Sequence, residues 1–114
     1  MRGVPGLELL WWSGCPSTEA MAAHVEAALG ALGLPDVEIE RHEVVDEAQA
    51  ERERFVGSPT VRVDGRELFP PDPADLAGLT CRVYRLRDGR FSPTPDPADL
   101  RDALRRALAT RSPT

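Results

Sequence analysis

Residues 7–18 read LELLWWSGCPST. Leu7, Leu9 and Trp11 alternate with Glu8, Leu10 and Trp12, the period of a buried strand. Ser13-Gly14 breaks that strand. From Pro16 the period changes: Met21, Val25, Ala28, Leu29 and Leu32 recur at helical spacing. Pro16 suits a first helical position because it has no N–H to leave unpaired. Gly33 can close the helix, and Pro35 cannot continue it. Cys15 therefore stands between a strand and a helix start. Unpaired backbone N–H groups and the helix dipole favour a thiolate there, and thiol pKa values at such places fall to roughly 3.5–7.5. The competing reading is a small buried apolar side chain, a common use of cysteine. The glycine turn and the helix start favour the reactive thiol.

Outward from this stretch, Val37 to Val45 predicts a second strand, and Asp46 is a good N-cap for a short helix, Glu47 to Arg54. Phe55-Val56-Gly57-Ser58-Pro59 ends that helix. Thr60 to Val63 is a β-branched strand, Asp64-Gly65 is a two-residue hairpin signal, and Arg66 to Phe69 returns. Residues 71–76 and 95–100 both read Pro-Asp-Pro-Ala-Asp-Leu, a helix-start device used twice. The first copy predicts a turn or two of helix stopped by Gly78. The second starts a terminal helix with the stripe Leu100, Ala103, Leu104, Ala107 and Leu108. Between them Cys81 to Leu86 predicts a strand, turned by Asp88-Gly89. Two strands joined by a helix suggest a βαβ unit, and the hairpin suggests an antiparallel edge. The expected fold is α/β, a mixed sheet flanked by helices, in one domain over residues 1–114.

A chain of 114 residues buries about two thirds of its unfolded surface, enough for a core without staples. No apolar run is long enough to span a bilayer, and no secretory signal pattern opens the chain, so the cytoplasm is the expected compartment and no membrane partner is expected. Two cysteines are too few for a secreted disulfide framework. All 14 basic residues are arginine. Residues 1–79 hold six arginines against fifteen acids, and residues 80–114 eight against four. The basic last third reads as solvated faces of a strand and a helix. An acidic chain with few aromatics argues against nucleic acid.

WWSGCPST, followed some forty residues later by FVGSPTVRVDG at 55–65, resembles the thioredoxin-like superfamily. There an aromatic residue and a glycine precede Cys-x-x-Cys at the first helix, and a cis-proline opens the third strand and faces the cysteine. The resemblance covers residues 7–69 and the last helix, with an insertion at about 70–92. It implies a cis-Pro59 in contact with Cys15, thiol–disulfide oxidoreductase chemistry without a cofactor, and a thiol or disulfide substrate on a protein or a small molecule. One departure matters: Thr18 stands where the second cysteine of the motif would fall. The pattern is thus the monothiol, Cys-x-x-Thr type. Thr18 either donates its hydroxyl to a Cys15 thiolate or serves only the helix start.

Cys81 has two placements. If Arg66 to Phe69 returns along the hairpin, the insertion leaves from the edge where Pro59 lies, and Cys81 can come back to Cys15 as a resolving cysteine. If it does not, Cys81 lies at the far end of the sheet as a strand cysteine. Two distant cysteines near one proline also bear a faint resemblance to alkylmercury lyases, which use two cysteines and an aspartate to bind mercury and protonate its carbon. Thr18 occupies the position of that aspartate. Soft-metal or organomercurial capture by Cys15 and Cys81, or non-catalytic binding, is the alternative. No Cys or His spacing supports zinc. His24, beside Met21 and Val25, is too far along its helix to deprotonate Cys15. His42, among Glu40, Arg41 and Glu43, is expected at the surface. Trp11 and Trp12 are expected in the core, with Trp12 able to wall the active edge.

Overall fold

The computed structural model describes residues 6–109. Strand β1 (Leu7–Trp11) lies inside a four-stranded sheet with β2 (Ile39–Glu43), β3 (Thr60–Val63) and β4 (Arg66–Glu67), in the order β2-β1-β3-β4. It pairs in parallel with β2, Leu9 opposite Arg41, and antiparallel with β3, Leu9 opposite Val61. The Asp64-Gly65 turn, both residues at positive φ, sends the chain back as β4. A parallel pair needs a crossover, and helix α1 (Thr18–Ala31) supplies it. Helix α2 (Glu47–Glu53) joins β2 to β3, and α3 (Pro97–Ala109) closes the domain. The result is α/β with a mixed sheet and, among the described residues, three helices.

Alternation along β1 sets the layers. Leu7 and Leu9 pack with Met21, Val25 and Leu29 of α1, Val61 and Val63 of β3, and Leu100 and Leu104 of α3. On the opposite face Leu10 packs with Val44, Ala50 and Phe55, with Trp12 and Leu79 against them. Burial of that apolar area is the main stabilising term of the domain. Helix α2 is fixed at both ends. Asp46 accepts from the Gln49 N–H at 2.7 Å, and Arg54 adopts the left-handed conformation at the C-terminal end.

Several boundaries differ from the sequence expectation. Helix α1 begins at Thr18 with Ser17 as its N-cap, so Pro16 lies in the turn ahead of it. The second strand is shorter than Val37 to Val45, although the Val44 N–H still donates to the Trp11 carbonyl at 2.8 Å. The returning strand keeps Arg66–Glu67 as its regular part, with the Leu68 N–H on the Val61 carbonyl beyond it. The first Pro-Asp-Pro-Ala-Asp-Leu copy forms a turn, not a helix. Asp72 Oδ1 takes the Ala74 N–H at 2.8 Å and Asp75 Oδ2 takes the Asp72 N–H at 3.1 Å, so the side chains satisfy the backbone groups a helix would have used. The expected strand Cys81 to Leu86 is reduced to β5 (Tyr84–Arg85), paired with β6 (Phe91–Ser92). The segment before β5 instead bonds to Ser58. Trp11 and Trp12 are half-buried, at the margin of the core.

The insertion is tied down at both ends. Arg87 reaches Asp99 at 2.7 Å and Asp102 at 3.5 Å on α3. At the other end, the Arg82 guanidinium donates to Glu67 Oε1 at 2.8 Å and to the Phe69 carbonyl. Arg62 takes the other Glu67 oxygen at 3.0 Å, and all three side chains are largely buried.

Candidate functional site

The Ser13-Gly14 turn is a compact unit. The Cys15 N–H donates to the Trp12 carbonyl at 3.0 Å. The Trp12 indole folds back on Gly14, where a Cβ would stand 2.4 Å from the ring. A side chain at position 14 would have to displace that ring.

What Cys15 meets is Ser58. The Ser58 hydroxyl oxygen accepts the Trp12 N–H at 3.0 Å, and its carbonyl accepts the Cys15 thiol at 3.3 Å. The same residue bonds the insertion: its N–H donates to the Thr80 carbonyl and its carbonyl accepts the Arg82 N–H, each at 2.8 Å. These bonds form a parallel bridge between Ser58 and Cys81. Ser58 is fully buried, so every polar group it carries has to find a partner inside the protein, and it does. Gly57 makes the approach possible. Its φ is 151°, and a Cβ there would lie 2.9 Å from Arg82 Cα. The Ser58–Pro59 peptide bond is cis, and the Pro59 carbonyl accepts the buried Tyr84 hydroxyl at 2.5 Å. Pro59 therefore sits one residue from the carbonyl that holds Cys15.

The two cysteines, far apart in sequence, converge on this one residue. Both are free thiols; Cys15 is buried, 4% exposed, and Cys81 is exposed. Burial pushes the Cys15 thiol up. The Cys81 thiol beside it, the Ser17 N–H and hydroxyl, and the Ser58 side chain together outweigh burial, and hold Cys15 below the ordinary thiol value. The partner moves the other way: hydrogen bonding to Cys15 comes first, then burial, and both raise Cys81. Cys15 is thus the more acidic thiol of the pair and Cys81 the less acidic one.

Of the two roles open to Thr18, the structure has the helix start: Thr18 is the first residue of α1. Its hydroxyl oxygen is buried with no hydrogen-bond partner. Ser17, the residue just ahead of α1, is the one whose N–H and hydroxyl act on the Cys15 thiol. Ser17 and Ser58 are the site residues that motif reading passes over. In the sequence Ser58 stands out only as the residue before Pro59, and Ser17 only as part of the helix start that follows Cys15-Pro16. His42 lies away from the site, 3.1 Å from Glu8 and 3.7 Å from Glu40. No group of three or more His, Cys, Asp or Glu side chains suited to a metal ion occurs among the described residues. No helix among them is long and apolar enough to cross a membrane.

Compared with protein-family models, curated proteins and solved structures, the chain matches none.

Proposed function

We propose that the protein is a thioredoxin-like thiol–disulfide redox protein whose active pair is Cys15 and Cys81. The observation that carries this reading is the meeting of two free thiols, one buried and one exposed, at Ser58. Strand order supports it as well. A parallel β1-α1-β2 unit, a β3-β4 hairpin beside it, and a last helix returning to the face of α1 make the arrangement that the sequence resemblance implies. In this reading the second thiol, missing at position 18, is supplied by the insertion. The pair passes between dithiol and disulfide, and exchange with a substrate runs through a mixed disulfide that the second protein sulfur releases.

The reading is tested by treating reduced protein with excess bis(2-hydroxyethyl) disulfide. The wild type is expected to lose two hydrogens by intact mass, with no adduct retained. Cys15→Ser and Cys81→Ser are each expected to stop at a single mixed-disulfide adduct. A wild type that also ends as adducts would overturn the pair. Acceleration of exchange between dithiothreitol and the same disulfide, by catalytic amounts of protein, distinguishes an enzyme from a binding module.

The same two thiols support a second reading. Side by side and without a third ligating group, they suit a soft, two-coordinate ion or an organomercurial. Retention of one soft ion per chain without disulfide turnover would favour it.

A further inference from the structure

Acidity and access are divided between the two sulfurs. Cys15 is the more acidic thiol but is buried, against Ser58. Cys81 is exposed and forms part of the wall of an open cleft of about 620 Å³. The cleft runs between the insertion and the body of the domain. Its lining is mixed: apolar Val56, Leu76 and Val83 stand beside charged Asp72, Asp75 and Arg85, and Leu76 and Val83 are themselves largely exposed. Its size is that of a small-molecule site. Phe69, also in the lining, makes an edge contact with Tyr84 at a centroid distance of 5.6 Å.

We propose that a small thiol or disulfide enters this cleft and bonds to Cys81, while Cys15 is the internal sulfur that leaves or resolves. This rests on the redox-pair reading and reverses the order expected from sequence, in which Cys15 meets the substrate. In the oxidised protein a substrate thiolate attacks Cys81 Sγ. The Cys15–Cys81 bond breaks, its electron pair stays on Cys15 as thiolate, and a substrate–Cys81 disulfide forms. A second substrate thiolate attacks the substrate sulfur of that bond and frees Cys81, which takes a proton from water. Two thiols have become a disulfide, and the protein has gained two electrons. The same steps in reverse, with a small disulfide as oxidant, restore the protein disulfide. The division of acidity suits this order, since the sulfur of lower pKa leaves faster.

The test compares access, not intrinsic reactivity. Cys15→Ser, which retains Cys81, and Cys81→Ser, which retains Cys15, are each reacted with methyl methanethiosulfonate and with the larger, neutral 4,4′-dithiodipyridine. The ratio of large-probe to small-probe rate cancels the thiolate fraction. The ratio is expected to be at least about tenfold higher for Cys81 than for Cys15. Val83→Arg, in the Cys15→Ser background, is expected to lower the large-probe rate alone. If the serine variants do not fold by circular dichroism, Cys15→Ala and Cys81→Ala carry the comparison. Equal ratios, or a higher one at Cys15, would overturn the assignment to Cys81 while leaving the pair intact. Failure of the wild type to form its internal disulfide would overturn both.

Discussion

Tyr84 donates its hydroxyl to the Pro59 carbonyl at 2.5 Å, fastening the insertion to the loop whose preceding carbonyl holds Cys15. Burial raises the Tyr84 hydroxyl far above the usual phenol range, so it remains a donor throughout the working pH range. Its ring is also sandwiched, edge against Phe69 and face under Arg82, whose guanidinium carbon lies 4.9 Å from the ring centroid. Tyr84→Phe keeps both ring contacts and removes only the donor. It is expected to lower unfolding free energy by about 1–3 kcal/mol, the cost of a buried acceptor left unpaired. Urea titration of wild type and variant measures it. A loss below a few tenths of a kcal/mol would show that water replaces the hydroxyl.

Gly57 is expected to tolerate no side chain. Alanine there would combine a positive φ with a Cβ 2.9 Å from the backbone of Arg82. Backbone strain of this kind costs about 1–3 kcal/mol, and the chain can escape it only by moving residues 80–82 away from Ser58. Gly57→Ala should therefore slow formation of the Cys15–Cys81 disulfide more than it lowers stability. Intact mass during oxidation, beside a denaturation curve, separates the two effects. Unchanged oxidation in a destabilised variant would break the link drawn between Gly57 and the site.

The contrast between Leu9 and Ser58 explains what the sequence discloses. Leu7 and Leu9 alternate with polar or opposite-face residues, so the strand and its core face follow from local period. Asp64-Gly65 and Asp46 are equally local signals, and the hairpin and the α2 cap sit where they predict. Ser58 works by contacts to Trp12, Thr80 and Arg82, well separated along the chain, and no local pattern encodes them. The same limit applies to Cys81. Its nearness to Cys15 depends on where the insertion returns, which is set by Gly57 and by the Arg82 contacts. Which of its two roles Thr18 takes depends on where the helix starts: with α1 beginning at Thr18, Ser17 just ahead of it is the hydroxyl residue that acts on Cys15.

Glu67 lies between two arginines. It takes Arg62 at 3.0 Å and Arg82 at 2.8 Å, and the three side chains are 10–15% exposed. Removing the carboxylate leaves two largely buried cations facing each other, and breaking a buried pair from one side costs about 3–5 kcal/mol. Glu67→Ala is expected to fall in or just below that range, with Glu67→Gln intermediate because it keeps one acceptor. Salt should recover little of the loss, since burial limits screening. A surface-like change of a few tenths of a kcal/mol by denaturation would count against the triad as the anchor of the insertion.

The coupling between the thiols fixes how stability depends on pH. Burial opposes ionisation of Cys15, and the Cys81 thiol is the largest of the contributions that overcome it. A thiol whose folded pKa is lowered contributes stability that is present above the unfolded thiol value and lost as pH falls through the folded value. Cys81, raised by Cys15 and by burial, has the opposite sign: its contribution is present below the unfolded value and lost as pH rises through the folded one. Reduced wild type should therefore gain stability as pH climbs through the lower part of the thiol range and lose it again above. In Cys81→Ala the main stabiliser of the Cys15 thiolate is gone while burial remains, so the Cys15 pKa should rise. The gain at lower pH should shrink, and the loss at higher pH that belonged to Cys81 should disappear. Ser17→Ala should shift Cys15 the same way by less, because Ser17 ranks after Cys81 among the groups lowering it. Thiolate ultraviolet absorbance against pH, recorded for wild type, Cys81→Ala and Ser17→Ala, reads these shifts directly. A Cys15 titration that does not move when Cys81 is removed would show that the two sulfurs do not interact.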